Sequence, residues 1–228
     1  MNKVFFKNLG IIDFKEAWSL QEGILDSIIE NKRKKEKTKS HLLFCQHPHV
    51  YTLGKSGKEE HLLLKNSELN NKGIDFYKIN RGGDITYHGP GQLVVYPVLD
   101  LDCFFTDIHR YLRFLEEIII RILSYYGLKG VRLDGSTGVW LENTESGYKK
   151  ICAMGVRASR WVTMHGLALN VNVDLNYFNN IIPCGITNKG VTSLNVELGN
   201  KDVDFMEVES VFLSAFKDVF ECEIINTI

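Results

Sequence analysis

The chain has 228 residues, 44% of them hydrophobic and 24% charged, the ordinary mix of a globular protein able to bury a sizeable core. A formal net charge of -1 gives no overall reason to expect nucleic acid or an anionic membrane as partner. The opening Met1 to Gly10 runs into Asp13, Lys15 and Glu16 without the apolar stretch of a signal peptide, and no run is long enough to span a bilayer. Cys45, Cys103, Cys152, Cys184 and Cys222 are odd in number and lack the short paired spacings of a zinc site, so reduced thiols in a cytoplasmic protein are expected.

A helical pattern over residues 13 to 31 carries an apolar stripe of Trp18, Ile24, Leu25 and Ile28. It closes in Lys32, Arg33, Lys34, Lys35, Lys37 and Lys39, cations at the negative pole of a helix or, on a sharper reading, a docking patch for an acidic carrier protein. Strand character follows at His41 to Cys45, then His47 and His49, which lack the company of a metal-ligand set and read as structural or channel-lining residues. Further on come strand-like Leu93 to Tyr96, a helical pattern at 107 to 126, strand-like Ile151 to Val156 and Val162 to Val173, and a last helix at 204 to 220. That helix sets Met206, Val208, Val211, Phe212, Ala215, Phe216 and Val219 on one expected core face. No linker or repeat divides the chain, which predicts one domain over 1–228. Since helices do not separate every strand, the fold class expected is α+β, a mixed, largely antiparallel sheet with flanking helices.

Four segments could carry chemistry. Arg81-Gly82-Gly83-Asp84-Ile85-Thr86-Tyr87-His88-Gly89-Pro90-Gly91-Gln92 packs four glycines into twelve residues, as either two turns at the ends of a hairpin or backbone approaching a ligand. The cation Arg81 and the imidazole of His88 favour a polar ligand. Lys150-Ile151-Cys152-Ala153-Met154-Gly155-Val156-Arg157 and His165-Gly166-Leu167-Ala168-Leu169-Asn170 both have strand character. A period of two sets His165, Leu167 and Leu169 on one face and Gly166 and Ala168 on the other, where small side chains serve close packing or an alkyl groove. Last, Ile182-Pro183-Cys184-Gly185-Ile186 holds a thiol in a turn. To act as a nucleophile Cys184 needs a cation to stabilise its thiolate, and Lys150, Arg157, His88 and His165 are all available.

In this order the four segments resemble the lipoyl(octanoyl) transferase family, the octanoyl-acyl carrier protein:protein N-octanoyltransferases. The resemblance begins at His47-Pro48 with Val50 to Gly54, ends near Thr192-Ser193-Leu194, and so spans most of the chain. It implies a fold shared with biotin and lipoate protein ligases, an octanoyl-thioester intermediate on Cys184, and a Lys150 that lowers the thiol's pKa. It also implies a substrate site of Arg81, Gly82, Gly83, Asp84, Ile85, Thr86, Tyr87 and His88 with Ala153, Met154, Gly155, Gly166, Leu167 and Ala168, beside which His165 is a further candidate. Cys152 stands where a small residue is expected, and Lys149 adjoins Lys150, but neighbours on a strand face opposite ways, so only one of the two lysines can meet the thiol.

The chemistry expected is ping-pong acyl transfer from octanoyl-acyl carrier protein through Cys184 to a lysine of lipoyl domains, those of 2-oxoacid dehydrogenase E2 subunits and the glycine cleavage H protein. No cofactor, metal, ATP, nucleic acid or membrane is called for, since phosphopantetheine arrives with the carrier. Two rivals are an ATP-dependent lipoate-protein ligase, which needs no nucleophilic cysteine, and a catalytically silent module that binds acyl carriers or lipoyl domains.

Overall fold

The computed structural model describes residues 1–143, 147–182 and 190–227. The chain runs β1 (Asn2–Ile11), α1 (Phe14–Lys34), β2 (Ser40–Gln46), β3 (Val50–Leu53), α2 (Asn66–Lys72), β4 (Asp75–Lys78), β5 (Ile85–His88), β6 (Gln92–Val98) and α3 (Ile108–Tyr125). It continues through β7 (Gly130–Leu133), β8 (Ser136–Asn143), β9 (Gly147–Ser159), β10 (Val162–Asn170), β11 (Gly190–Val191), α4 (Leu194–Glu197), α5 (Phe205–Phe220) and β12 (Cys222–Asn226).

Local chemistry sets the helix ends. Asp13, Asp107 and Asp204 each accept hydrogen bonds from N–H groups in the first turn of α1, α3 and α5, satisfying donors that have no partner inside the helix. In α1 the buried stripe is Phe14, Ala17, Gln21, Leu25, Ile28 and Ile29, so it includes a fully buried glutamine where the sequence pattern predicts only hydrocarbon. The α5 core face is Val208, Phe212, Ala215, Phe216 and Phe220, but Met206 is exposed. Residues two apart on a helix differ by about 200°, so Met206 cannot share the face of Val208. At the end of α1 the basic run is partly committed to the fold: Lys32 Nζ donates to Asp100 Oδ1 at 2.7 Å and to the Arg160 carbonyl at 2.8 Å.

The main sheet has the order β12-β1-β2-β6-β10-β9-β8-β7, with β11 added beside β9. Only β12, β1 and β2, and the β11–β9 pair, run parallel; the other ladders are antiparallel. α3 and α5 cover one face over the largest core cluster, while α1 packs on β6 and β10 of the other. A separate three-stranded sheet, β4-β3-β5, carries its own small core around Tyr51, Leu69, Tyr87 and Phe178. Because β5 and β6 belong to different sheets, Gly89-Pro90-Gly91 is a crossing between sheets rather than the turn of a hairpin. This crossing brings the glycine-rich segment against β9 and β10, where the candidate site forms.

Candidate active site

A cavity of about 560 Å³ lies between the two sheets, within the range typical of small-molecule sites. Arg81, Gly82, Gly83, Asp84, Ile85, Thr86 and His88 line it from the glycine-rich segment. Lys150, Ala153, Met154 and Gly155 line it from β9, and His165, Gly166, Leu167 and Ala168 from β10. Of the segment from Arg81 to His88 only Tyr87 turns away: fully buried in the small core, it stacks on Tyr177 with ring centroids 4.8 Å apart and hydrogen-bonds His49 Nδ1 at 2.7 Å. Its strand neighbours Thr86 and His88 face the cavity, as the period of a strand requires, while Ile85 shares the small core with Tyr87 and also borders the cavity. Cys184 lies outside the described residues.

The loop that opens the segment is held by its own arginine. The buried Arg81 donates from Nη2 to the Thr52 carbonyl at 2.9 Å and to Thr52 Oγ1 at 3.0 Å, and from Nη1 to the Gly82 carbonyl at 3.0 Å. Gly82 N–H donates to the Val156 carbonyl at 2.9 Å, so the loop rests directly on β9. Gly155 makes room for it: a Cβ there would stand 2.7 Å from the Gly82 oxygen and 3.1 Å from Arg81 Cδ. Asp84 is similarly occupied, accepting from Ile85 N–H at 2.6 Å and meeting His61 Nδ1 at 2.6 Å.

On β10 the small residues serve packing. A Cβ on Gly166 would lie 2.1 Å from the Val95 oxygen and 2.7 Å from Pro97 Cδ, so its hydrogen is what lets β10 approach β6. His165 breaks the strand's alternation with φ of 59°, the left-handed region that a β-sheet residue seldom adopts. Its N–H is thereby turned to the buried Gln21 of α1, which accepts at 2.8 Å, and Gln21 Nε2 donates to the Ala17 carbonyl at 3.2 Å. The polar residue in the α1 stripe thus satisfies a buried backbone donor of β10.

On β9 a bulge decides which lysine enters the cavity. Val139 pairs with Cys152, but Trp140 pairs with Lys150, leaving Ile151 as an extra residue. Unbroken alternation would put Lys149 on the face of Ala153 and Gly155. With the bulge, Ile151 and Cys152 both enter the large core and Lys150 faces the cavity. The Lys150 ammonium lies 4.5 Å from the centroid of the Trp140 ring, a cation–π contact. Sequence reasoning missed Trp140 because only the shifted register sets it across from Lys150.

The histidines are not the cations of this cavity. Burial, followed by the neighbouring positive groups, lowers the pKa of His165 to about 3, and burial with the nearby His47 lowers that of His88 to about 3. Arg157 does not line the cavity, whose described cations are Arg81, bonded to Thr52, and Lys150. His47 and His49 do not converge: His47 bonds the Ile12 carbonyl and Tyr96 hydroxyl at 2.7 Å each, while His49 joins Tyr87 and Tyr177. Among the described residues no cluster could hold a metal ion. Nor do Cys45 and Cys152 resemble a nucleophile, since burial raises both thiols far above their ordinary range.

Residues 13–217 match the family model described as the lipoyl protein ligase A/B catalytic domain. The chain belongs to this family. A protein of Christiangramia forsetii named octanoyltransferase is 59% identical over 231 residues, covering 98% of this chain and 99% of its own. Another protein of that name, from Bacteroides fragilis, is 52% identical over 199 residues, with 87% of this chain and 90% of its own covered. Among solved structures, a bi-partite lipoate protein ligase of Thermoplasma acidophilum superposes with a TM-score of 0.71 at 17% identity, covering 99% of this chain and 86% of its own. A biotin protein ligase of Aquifex aeolicus has a TM-score of 0.53 at 15% identity, over 96% and 70% of the two chains. These likenesses show the fold, a mixed α+β sheet with flanking helices shared by lipoate and biotin ligase catalytic domains.

Proposed function

We propose that this protein is an octanoyltransferase of protein lipoylation: it takes octanoyl from the thioester of an acyl carrier protein, holds it on Cys184, and passes it to a lysine of a lipoyl domain. The observation that carries this reading is Lys150, a bulge-directed ammonium on an otherwise largely hydrocarbon cavity wall, held against the Trp140 ring. Two supports are independent of the geometry. Relatives matching nearly end to end bear the name octanoyltransferase, and the distant Thermoplasma acidophilum ligase is described together with its E2 lipoyl domain.

A thiolate is a minor species at neutral pH unless a cation stabilises it, and Lys150 supplies that charge, since His88 and His165 are held neutral. Of the described residues that flank the Cys184 segment, Gly190 and Val191 line the cavity and pair with Lys149 and Lys150, while Ile182 N–H donates to the carbonyl of His61. In the first half-reaction the Cys184 thiolate adds to the octanoyl thioester and the carrier's sulfur leaves, taking a proton from the Lys150 ammonium. In the second, the lipoyl lysine amine attacks the octanoyl-enzyme, Cys184 leaves as thiolate, and the amide nitrogen gives its proton to the Lys150 amine left neutral by the first half. Apolar groups such as Val94, Leu167 and Met154 suit the alkyl chain. The thioester arrives activated, so neither half requires ATP or a metal. The acceptors proposed are lipoyl domains of 2-oxoacid dehydrogenase E2 subunits and the glycine cleavage H protein, and the compartment proposed is the cytoplasm; no described helix is long and apolar enough to cross a membrane.

The test is intact-protein mass spectrometry after mixing the enzyme with octanoyl-carrier protein in the absence of ATP, then adding an apo lipoyl domain. An octanoyl adduct that maps to Cys184 and passes to the domain's lysine is the expected result. Modification only with ATP and free octanoate or lipoate would replace this reading by a ligase, and binding without modification would replace it by a silent carrier module.

A further inference from the structure

A chain of side-chain amides behind the cavity fixes which nitrogen of His88 carries hydrogen. At its far end Asn170 Nδ2 donates to the backbone carbonyl of Thr192 at 2.9 Å, which leaves Asn170 Oδ1 facing Gln92. Gln92 Nε2 donates to that oxygen at 2.9 Å and to the Tyr87 carbonyl at 3.2 Å, so both of its hydrogens are used. Gln92 Oε1 is therefore the atom that meets His88 Nδ1 at 2.7 Å. An amide oxygen only accepts, so Nδ1 carries the hydrogen. In a neutral imidazole the other nitrogen, Nε2, then bears a bare lone pair.

That lone pair has no protein hydrogen-bond partner among the described residues, and His88 lines the cavity. The ring is also held in place, nearly parallel to Phe14 at 6.2 Å between centroids and edge-on to His47 at 5.9 Å. His47 cannot satisfy it, because its own Nε2 is bonded to the Tyr96 hydroxyl. The cavity thus presents a preorganised acceptor whose orientation is set by Gln92 at the start of β6 and Asn170 at the end of β10. An alkyl chain and a thioester carbonyl offer it nothing, since neither has an N–H or O–H. The amine of the second substrate does.

We infer that His88 Nε2 accepts a hydrogen bond from the attacking lysine amine and so aims the nitrogen lone pair at the acyl carbon, with Gln92 and Asn170 as positioning residues. The inference rests on the octanoyltransferase reading, and separate half-reactions tell the two apart. Octanoyl-enzyme is formed from octanoyl-carrier protein, isolated, and mixed with apo lipoyl domain under single-turnover conditions, with both steps followed by mass. If the wild-type enzyme neither loads nor transfers, the octanoyltransferase reading itself fails. With the wild type active, His88→Leu should slow transfer about tenfold, the worth of one buried hydrogen bond, and leave loading much less affected. His88→Gln, whose amide oxygen reaches toward the place of Nε2, should recover most of the transfer rate. Gln92→Leu should fall between them, and nitrogen-15 spectra of the wild type should show protonated Nδ1 and bare Nε2. The inference is overturned if His88→Leu transfers normally, if loading falls as much as transfer or more, if His88→Gln is no better than His88→Leu, or if the spectra show hydrogen on Nε2.

Discussion

Replacing Trp140 tests whether its ring sets the chemistry of the cavity through Lys150. The ammonium is 4.5 Å from the ring centroid, and Trp140 is only 3% exposed, so the contact belongs with desolvated cation–π pairs of about 2 kcal/mol rather than exposed ones of about 0.5–1 kcal/mol. If half of that is lost when the ammonium finds other contacts, Trp140→Leu withdraws about 1 kcal/mol of the attraction that holds the charge in place, which at 1.36 kcal/mol per unit bounds the change felt by the thiolate at about 0.7 pKa unit. A less firmly held cation stabilises the Cys184 thiolate less, so the thiol pKa rises. The assay is the rate of Cys184 alkylation by iodoacetamide against pH, with peptides mapped by mass to separate it from the four other cysteines. Trp140→Leu should move the midpoint up by as much as about 0.7 unit, Trp140→Phe by less because its ring keeps part of the attraction, and Lys150→Met by more than either. Coincident midpoints for wild type and Trp140→Leu, with Lys150→Met shifted, would refute the role of the ring. No shift in Lys150→Met would refute the lysine's role as well.

Three glycines form a graded series read by urea denaturation. Gly166→Ala sets its methyl 2.1 Å from backbone oxygen of β6 and should cost about 3 kcal/mol. Gly155→Ala meets the Gly82 oxygen at 2.7 Å on a loop that can move, so it should cost about 1–2 kcal/mol while lowering activity more than Gly82→Ala, whose nearest contact is an ordinary 3.5 Å. Equal costs for all three would show that contact distance does not govern the effect. Gln21→Leu removes the acceptor of a buried N–H and should destabilise by about 1–3 kcal/mol, with unchanged stability excluding that bond. His88 and His165 have folded pKa values of about 3, so the unfolded chain takes up their protons first as pH falls below about 6.5. Their contribution is complete above that pH and declines by about 1.4 kcal/mol per unit for each histidine down to about pH 3. His165→Asn should flatten the fall in urea midpoint between pH 6.5 and 4, and an identical slope would refute neutral burial of His165.

Much of this protein is legible in its residues. The helical periods near 13–31, 107–126 and 204–220 correspond to α1, α3 and α5, and the strand-like runs fall within β2, β6 and β9, while the run from Val162 to Val173 overshoots β10, which ends at Asn170. Periodicity of hydrocarbon and aspartate caps are local signals, and the order of the four motifs carries the family resemblance that the comparisons bear out. What sequence leaves open is set by contacts between distant segments. Whether Gly82-Gly83 and Gly89-Pro90-Gly91 close a hairpin or join two sheets depends on strand partners, and β5 and β6 choose different ones. The buried Gln21 breaks an otherwise apolar stripe because its partner, the His165 N–H, is 144 positions away. Alternation alone would turn Lys149 toward Ala153 and Gly155. The one-residue bulge at Ile151 turns Lys150 there instead and sets Trp140 across from it. A strand's period is a property of its own backbone, but a bulge exists only in the pairing of two strands, so the motif could name Lys150 while only the tertiary structure shows how that lysine comes to face the cavity.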